Sequence, residues 1–340
     1  MACTYTILYE YPSESLERAW RASLPLLEHP AHYSSPEFFL EPSWAGKKPF
    51  AILALSDGAV VGVLPAMHEG TKVSSHRYVS LARNADAIAA SDALARGLLV
   101  EARTAKLVTV DSWVPLECFY GYGFQRRSRQ GIIVLDLNQG PETLFKQLNA
   151  RRRNGIRRAL LRKVSVFQPT SEQDIQAFYA VYSAWHGTKR KRIHGEKLSI
   201  DTFLERFRSS DNFQMFLARV SGKTIAGITL RFLSGGLVEA ANNSSLDDFL
   251  SHKPNDLLFW NAIEWACQRG FTRFSLGGSH RFLREFGGQL YPVYRYQLDQ
   301  TRLHYFDVRQ TLVDGAKGAL RRMPTFVETT VRSLLGKTPD

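Results

Sequence analysis

Apolar and polar positions along the first half of the chain predict a hairpin, helices and strands. FAILAL (50–55) and AVVGVLP (59–65) flank the dipeptide Asp57-Gly58, and Asp-Gly between two apolar runs is a strong signal for a β-hairpin. The other elements of this half follow from helical spacing or from short apolar runs. They are a helix over 14–27, a helix over 87–103, a strand at 106–111, a loop at 119–124 and a final strand at 131–137.

The second half predicts the same order of elements. Pro254 suits the first turn of a helix and Gly270 its end, so DLLFWNAIEWACQRG is predicted to be helical. The remaining predicted elements are a helix over 174–185 and strands at 213–220, 224–233, 237–243 and 272–278. Because hairpin, helix and strand recur in both halves, this order indicates two related domains, although the residues themselves show little self-similarity.

A chain of 340 residues suits two domains of ordinary size. We predict an α/β fold of mixed sheets with two tandem domains, each a mixed, mostly antiparallel sheet flanked by helices. The predicted division is a first domain at 1–140, a basic connecting helix at 141–165, a second domain at 166–305 and a basic amphipathic tail at 306–340.

Charge changes this picture more than composition does. The 44 Lys and Arg residues against 32 Asp and Glu give a net charge of +12, which favours nucleic acid, nucleotide diphosphates or an anionic membrane surface as partners. A basic surface that only aids solubility is the alternative. The three cysteines have no metal or redox spacing, and neither a signal peptide nor a long apolar run is present, so we expect a cytoplasmic protein.

A basic segment, KQLNARRRNGIRRALLRK, runs from Lys146 to Lys163 and contains eight basic residues and no acidic one. Two interpretations are open. Its arginines bind the phosphates of RNA or of a diphosphate, to which the planar guanidinium is well suited, or they pair with Asp and Glu of the protein and join the domains. The predicted phosphate- or RNA-binding residues are Arg151, Arg152, Arg153 and Arg157.

Several ordered motifs carry a family resemblance between residues 130 and 300. The stretch 134–185 contains a strand, a helix ending in R-x-x-I-R-x-A, a short strand and a helix with F-Y-x-x-Y; PNDLLFWNAIEWACQRGFTRFSLGG and HRFLREFGG follow it. These motifs resemble the FemAB/FemX-like (BioF2-like) transferases, which are tandem proteins of the acetyltransferase (GNAT) type. CFYGYGFQRRSRQGIIVLDL is similar to the closing segment of single-domain acetyltransferases, so the first domain resembles a degenerate GNAT domain.

The resemblance implies an enzyme, an acyltransferase that moves an aminoacyl or acyl group to an amine of a cell-envelope or peptidoglycan precursor. Aminoacyl-tRNA is then the donor, and no cofactor is permanently bound. Neither half contains the Q/R-x-x-G-x-G/A loop, whose backbone N–H groups bind the diphosphate of coenzyme A. FLSHKPNDLL stands at that position in the second half. An acyl-CoA-dependent N-acetyltransferase of a small amine or sugar amine is the first alternative, and a non-catalytic RNA-binding scaffold is the second.

The loop GGSHRFLREFGG (277–288) is the predicted pocket, because paired glycines let the backbone approach a ligand. In the family a lysine commonly follows the first phenylalanine of this loop. Leu283 has that position here, and Arg284 is expected to supply the charge. The predicted catalytic residues are Arg284 and Phe282. The predicted substrate-binding residues are His280 in the loop, Asn242 with its neighbour Asn243 at a strand end and, for the phosphates of the acceptor, Lys189, Arg190 and Arg192.

Other patterns have simpler explanations beside the functional ones. A charge run after a helix is usually solvated, and paired asparagines often make turns. His29 and His32 are more typical of a loop than of a metal pair, so no metal is predicted.

In the tail, roughly 308–337, apolar residues alternate with Lys and Arg. A basic amphipathic helix of this kind either rests on the inner membrane face, where it would help with a lipid-linked acceptor, or packs against the body of the protein. The sequence leaves both interpretations open, and it gives no information on the oligomeric state.

Overall fold

The computed structural model of the chain describes residues 3–44, 47–189, 197–209 and 211–322. The described strands are β1 (Thr4–Leu8), β2 (Lys48–Ser56), β3 (Ala59–Glu69), β4 (Lys72–Leu81), β5 (Leu107–Ser112), β6 (Gln125–Arg127), β7 (Ile132–Asp136), β8 (Ser165–Phe167), β9 (Phe213–Val220), β10 (Lys223–Phe232), β11 (Leu237–Ser245), β12 (Arg273–Ser275), β13 (Gln289–Tyr291) and β14 (Tyr294–Asp299). The described helices are α1 (Glu14–Ser23), α2 (Ala87–Glu101), α3 (Gly140–Gln147), α4 (Ala150–Leu161), α5 (Glu172–Lys189), α6 (Ile200–Arg208), α7 (Pro254–Gln268), α8 (Arg281–Arg284) and α9 (Tyr305–Arg322). None of these described helices is both long and apolar enough to cross a membrane.

These strands form two seven-stranded sheets, with the orders β1-β2-β3-β4-β5-β14-β6 and β13-β7-β12-β11-β10-β9-β8. Each sheet contains one parallel pair among its described strands, β4 with β5 and β11 with β12, and its other neighbours are antiparallel. The predicted fold of two tandem, mixed and mostly antiparallel sheets flanked by helices is confirmed.

The two sheets exchange a strand. β7, which follows the first domain in the sequence, lies between β13 and β12 of the second sheet, whereas β14, near the end of the chain, lies between β5 and β6 of the first sheet. A strand was predicted at 131–137 as the last strand of the first half; the strand is present, but its predicted place in the first half was wrong, because it joins the second sheet. The apolar pattern of β7 predicts a strand but carries no information on which sheet the strand joins.

Both central hairpins turn on a residue pair in the left-handed backbone conformation. Asp57 and Gly58 have φ values of 49° and 79°, as a type I′ turn requires, and they join β2 to β3 with Ser56 opposite Ala59. Ser221 and Gly222, with φ values of 48° and 80°, join β9 to β10 in the same way. The hairpins predicted from these short sequences are therefore confirmed.

Helices and 3-10 turns cover both faces of each sheet. α2 packs on one face of the first sheet, and the segment from α1 to Trp44 packs on the other. α3, α4 and α7 cover one face of the second sheet, and α5 and α6 cover the other. The predicted single connecting helix at 141–165 is two helices, since Asn149 caps α4 by accepting a hydrogen bond from the N–H of Arg151 at 2.9 Å.

Candidate functional site

The parallel pair of the second sheet separates after three residues. Residues 237–239 of β11 pair with 273–275 of β12. Beyond this point β11 continues to Ser245 beside β10, while the segment that follows β12 turns away from β11 at Gly277, which has a φ of 76°. A Cβ at Gly277 would lie 2.7 Å from the carbonyl oxygen of Ala240, so only glycine fits this close passage without a shift. The carboxyl ends of separating parallel strands are a common position for ligand sites in α/β sheets.

A cavity of about 350 Å³ occupies the separation. A β-bulge forms its floor, because Thr229 pairs with Asn242 and Leu230 with Ala240, which leaves Ala241 as the extra residue. The described residues that line the cavity are Ala240, Ala241, Asn242, Asn243, Asn255, Phe259, Leu276, Gly277, His280, Phe282 and Leu283. Its polar groups are therefore carboxamides and one imidazole, beside aromatic and aliphatic side chains.

The equivalent pair of the first sheet stays closed. After Ser74 pairs with Thr109, β4 bulges and then pairs again with β5, with Tyr78 opposite Asp111. The ring of Tyr78 packs 4.3 Å from that of Trp113, and the Trp113 indole N–H donates to the Tyr33 hydroxyl at 3.3 Å. Strand pairing and aromatic side chains thus fill the region that is open in the second domain.

Asn242 is oriented by a buried ionic network that spans the two domains. Arg206 of α6 donates from Nη1 to Asn242 Oδ1 at 3.0 Å, and from Nη2 to Glu41 Oε1 at 2.8 Å. Because a guanidinium only donates, it holds the oxygen of the Asn242 carboxamide towards itself and turns the NH2 group away. Glu41 lies in the first half of the chain, so the first domain supports a cavity residue of the second.

The network continues beyond Glu41 through other buried charges. Arg231 contacts Glu41 and lies 3.3 Å from Glu239, which in turn lies 3.5 Å from Arg77. Burial alone would raise the pKa of Glu41, but the charges of Arg231 and Arg206 outweigh burial and hold that pKa well below its ordinary value. The carboxylate therefore stays ionised and keeps Arg206 in position.

The predicted pocket loop contributes two of its three selected residues to the cavity. His280 and Phe282 line it, with their rings stacked 6.1 Å apart. Arg284 is exposed, donates from Nε to the carbonyl of Ser279 at 2.6 Å, and is not among the described residues that line the cavity. The structure thus places the predicted catalytic residue Arg284 outside this lining, because α8 directs Phe282 inwards and Arg284 towards its own loop.

The basic segment divides into buried and exposed arginines. Arg152 is buried, with Nη1 2.8 Å from Asp256 and Nε 3.0 Å from Glu285, and its guanidinium lies over the Phe282 ring at 4.5 Å. This contact supports the structural interpretation for Arg152, which joins α4 to α7 and α8. Arg153 is half-buried and donates to the carbonyl of Lys146 at 2.9 Å.

Arg151 and Arg157 are exposed on the surface of α4, where a polyanion has access to them. Of the other predicted contacts, Asn242 lines the cavity. Arg190, Arg192 and the side chain of Lys189 lie outside the described residues.

Two cavity features were missed in the sequence: Asn255, which follows Pro254 at the start of α7, and Ala241, which forms the bulge. Asn243, which the sequence analysis paired with Asn242 as a polar contact, also lines the cavity and donates to the Gly227 carbonyl at 3.3 Å. Asn255 could have been found from the sequence, since it lies in the first turn of a predicted helix. The bulge could not, because it depends on the register between two strands.

The histidines considered as a metal pair are buried separately. His29 Nδ1 lies 2.7 Å from Arg273 Nη1, and the His32 ring packs 5.3 Å from that of Phe213. Among the described residues, Asp299, His304 and Asp307 hold potential ligand atoms within 4.8 Å of one another. Both of these carboxylates already accept hydrogen bonds: Asp299 accepts from the N–H groups of Thr301 and Asp307, and Asp307 accepts from the side chain of Gln297.

Comparison with known proteins agrees with this geometry. Residues 146–291 match the family model described as an acetyltransferase (GNAT) domain. By sequence, no curated protein matches the chain. The structure of FemX is similar, with a TM-score of 0.60, 14% identity and coverage of 84% of this chain and 96% of that one.

Two further structures are similar over most of their length. The C-terminal domain (DUF2156) of a putative lysylphosphatidylglycerol synthetase from Agrobacterium fabrum has a TM-score of 0.58, 12% identity and coverage of 88% of this chain and 96% of that one. A tandem GNAT protein from the clavulanic acid biosynthesis pathway has a TM-score of 0.56, 12% identity and coverage of 87% and 98%. The predicted resemblance to FemAB/FemX-like tandem GNAT proteins is confirmed at the level of the fold.

Proposed function

We propose that this tandem GNAT-fold chain is an acyltransferase that moves an acyl or aminoacyl group onto an amine, and that the reaction occurs between β11 and β12. The observation that carries the proposal is the cavity of about 350 Å³ where this parallel pair separates, while the equivalent pair of the first sheet stays paired. The match to the GNAT domain model, residues 146–291, spans both strands of the cleft.

The lining favours direct attack of the amine on the donor. None of the described lining residues is a serine, threonine, cysteine, lysine, tyrosine or acid, so apart from the His280 imidazole these residues offer no side chain for a covalent acyl intermediate. The neutral amine attacks the donor carbonyl carbon, negative charge develops on the carbonyl oxygen, and the bond to the donor oxygen or sulfur breaks. Among the described lining residues, His280 alone has a basic side chain. Imidazole is the group that enzymes use most often as a general base, and we propose that His280 accepts the amine proton.

Asn242 is assigned to the developing oxyanion. Arg206 holds its carboxamide oxygen at 3.0 Å, which directs the NH2 group away from the guanidinium as a hydrogen-bond donor. A fixed donor that is aimed at developing charge lowers the barrier without reorganising during the reaction, and removal of one such donor typically lowers kcat about 100-fold or more. The Glu41–Arg206 pair therefore acts on the reaction by positioning Asn242.

For the donor and acceptor we propose aminoacyl-tRNA and an amine of a cell-envelope precursor. The exposed Arg151 and Arg157 on α4 offer charge to a nucleic acid backbone, and the fold is similar to that of FemX. The glycine-rich diphosphate loop is missing from FLSHKPNDLL, which disfavours coenzyme A.

An acyl-CoA-dependent N-acyltransferase is the second candidate. α7 begins at Pro254, and its next residue, Asn255, lines the cavity. Lys253 precedes the helix in the left-handed conformation, with a φ of 59°. A helix N-terminus beside a lysine favours a phosphate group. This arrangement supports a diphosphate donor in spite of the missing glycines.

One experiment separates these candidates. The full chain is incubated with aminoacyl-tRNA or with acyl-CoA, together with an amine-bearing cell-wall precursor or a small sugar amine, and products are identified by mass spectrometry. Product from aminoacyl-tRNA alone supports the leading proposal, and product from acyl-CoA alone supports the second candidate. Salt-sensitive tRNA binding without product from any donor would overturn the enzymatic proposal in favour of an RNA-binding scaffold.

A further inference from the structure

We propose that helix α9 binds an anionic lipid surface through its outward, apolar side. α9 (Tyr305–Arg322) follows β14, the neighbour of the edge strand β6 in the first sheet, after a short turn. This inference does not depend on the proposed reaction, since it concerns a surface remote from the cleft lining.

One side of the helix start is fixed to the protein. Phe306 lies under Lys72, whose Nζ is 5.5 Å from the ring centroid. Asp307 accepts hydrogen bonds from Arg127 and from Gln297, the latter at 2.6 Å, and its N–H donates to Asp299 at 3.0 Å. These contacts hold the first turn, so the opposite side of the helix has a defined direction.

That opposite side exposes large apolar side chains. Tyr305 is 57% exposed, Val308 54% and Leu312 69%, and Leu303 in the preceding turn is 81% exposed. Spacings of three and four residues bring positions 305, 308 and 312 to one face of a helix. Single exposed apolar residues are normal, but an adjacent set on one helix face indicates an interaction surface.

The charge around this face selects the kind of partner. Arg302 and Arg309 are exposed beside it. In the first sheet, Lys72 at the start of β4, Lys106 just before β5 and Arg126 on the edge strand β6 are also exposed. The two acidic groups at the helix start, on Asp299 and Asp307, are occupied by hydrogen bonds. Apolar side chains flanked by basic ones match a membrane surface that carries anionic headgroups.

A second copy of the chain is a poorer occupant. Two such faces in contact would bring the same basic residues, Arg302 and Arg309, towards each other, and like charges repel in a desolvated contact. The remaining sequence of α9 adds Lys317, Arg321 and Arg322 against Asp314, which increases the excess of positive charge in this helix. An acidic protein partner shares the charge preference and is treated as an outcome of the test.

The test is co-sedimentation of the full chain with vesicles of phosphatidylcholine alone or of phosphatidylcholine mixed with phosphatidylglycerol. We expect binding to the anionic vesicles only, and weakening when salt rises from about 0.1 M to about 0.5 M, since salt screens the charges. Leu312→Asp should weaken binding about tenfold or more. It removes apolar area that the membrane would bury, and it places a negative charge next to the anionic headgroups.

The matched control is Ile88→Asp. Ile88 is an exposed apolar residue of α2, 72% exposed, so this variant has the same change of charge and a similar loss of apolar surface away from α9. It should bind anionic vesicles as the unaltered chain does, and both variants should keep the thermal unfolding midpoint.

Three outcomes would overturn the proposal. They are equal binding of Leu312→Asp and Ile88→Asp, equal binding to both kinds of vesicle, and no binding to either. Sedimentation velocity without lipid completes the test: a dimer of the unaltered chain that Leu312→Asp dissociates would assign the face to self-association instead. Lipid binding is measured without any donor or acceptor, so its failure and the failure of the proposed reaction are independent results.

Discussion

Asn242 combines two roles at the scale of a single residue: its oxygen accepts from Arg206 at 3.0 Å, and its NH2 group is the proposed donor to the oxyanion. Asn242→Asp separates these roles, because a carboxylate still accepts from the guanidinium but has no hydrogen to donate. We expect this variant to fold normally and to lose product formation about 100-fold, measured as kcat with the donor that proves active.

Asn261→Ala provides the control for that prediction. Asn261 lies on α7, where its side chain donates to the Leu257 carbonyl at 3.0 Å, and it is not among the described residues that line the cavity. The Asn261→Ala variant should leave kcat nearly unchanged. If Asn242→Asp retains full activity, Asn242 has no part in the chemistry.

Buried histidines predict how the stability of the protein depends on pH. Burial, with the nearby charges of Arg273 and Arg231 respectively, lowers the pKa of His29 from 6.5 to about 4 and that of His32 from 6.5 to about 3. Below pH 6.5 the unfolded chain binds these protons and the folded protein does not. The free energy of unfolding should therefore fall as the pH drops from 6.5 towards 4, by up to about 1.4 kcal/mol per pH unit for each histidine.

Urea unfolding at a series of pH values measures this slope. His32→Phe removes one titrating group from a site that packs against Phe213, so the slope should decrease. His304→Asn changes an exposed histidine whose φ of 46° asparagine tolerates, and it should keep the slope of the unaltered chain. An unchanged slope in His32→Phe would show that this histidine does not stay neutral in the folded state.

At the scale of elements, the separation of β11 and β12 depends on Gly277. Two glycines offer a matched comparison, since Gly277 and Gly270 have φ values of 76° and 75°. A Cβ at Gly277 meets the Ala240 carbonyl at 2.7 Å, whereas a Cβ at Gly270 meets nothing within 4 Å. Alanine at either position has the left-handed backbone penalty of about 1–2 kcal/mol, but only Gly277→Ala forces the strands at the cleft to move.

Gly277→Ala should therefore lose activity about tenfold or more beyond Gly270→Ala. Product formation and urea unfolding are measured on both variants, so that lost stability is distinguished from a displaced cleft. Equal activity in the two variants would mean that the passage of Gly277 beside Ala240 is unimportant for the reaction.

Elements also differ in how well local sequence specified them. The hairpin of β2 and β3 was predictable, because Asp57-Gly58 suits its turn and no distant residue is needed. β4 was missed, because KVSSHRYVSL mixes polar and apolar residues and its burial results from the strands on both sides. The basic segment was ambiguous for a related reason, since Asp256 and Glu285, which bind Arg152, lie far along the chain.

At the scale of the whole molecule, the exchange of β7 and β14 couples the stability of the two domains. Tyr296 of β14 is fully buried in the first sheet, and its hydroxyl accepts from the Leu116 N–H at 2.7 Å. Tyr296→Ala should destabilise the protein by about 3 kcal/mol. Because β14 connects the second domain to the first sheet, hydrogen exchange should accelerate in both sheets.

Hydrogen exchange followed by mass spectrometry provides this measurement, with peptides from β5 reporting on the first sheet and peptides from β11 on the second. Tyr9→Ala, at a residue that is 60% exposed, is the control and should change neither. Faster exchange confined to the first sheet in Tyr296→Ala would show that the domains unfold independently in spite of the exchanged strands.

The sequence by itself determined the features that depend on neighbours in the chain. These include the two hairpins, the start of α7 at Pro254 and its end before Gly270, the repeated order of elements and the excess of positive charge. Turn conformation, helix capping and apolar spacing act over a few residues, so they can be read from a single sequence.

Only the tertiary structure decided the exchange of β7 and β14, the separation of β11 from β12 and the partners of Arg152 and Asn242. Each of these features joins residues that are distant in sequence, and strand register and side-chain partners depend on packing that a local pattern does not contain. Tertiary packing likewise explains why His280 and Phe282 line the cavity while Arg284 lies outside it. Local sequence specified their loop, but the contacts of α8 with the rest of the protein decided which side chains point inwards.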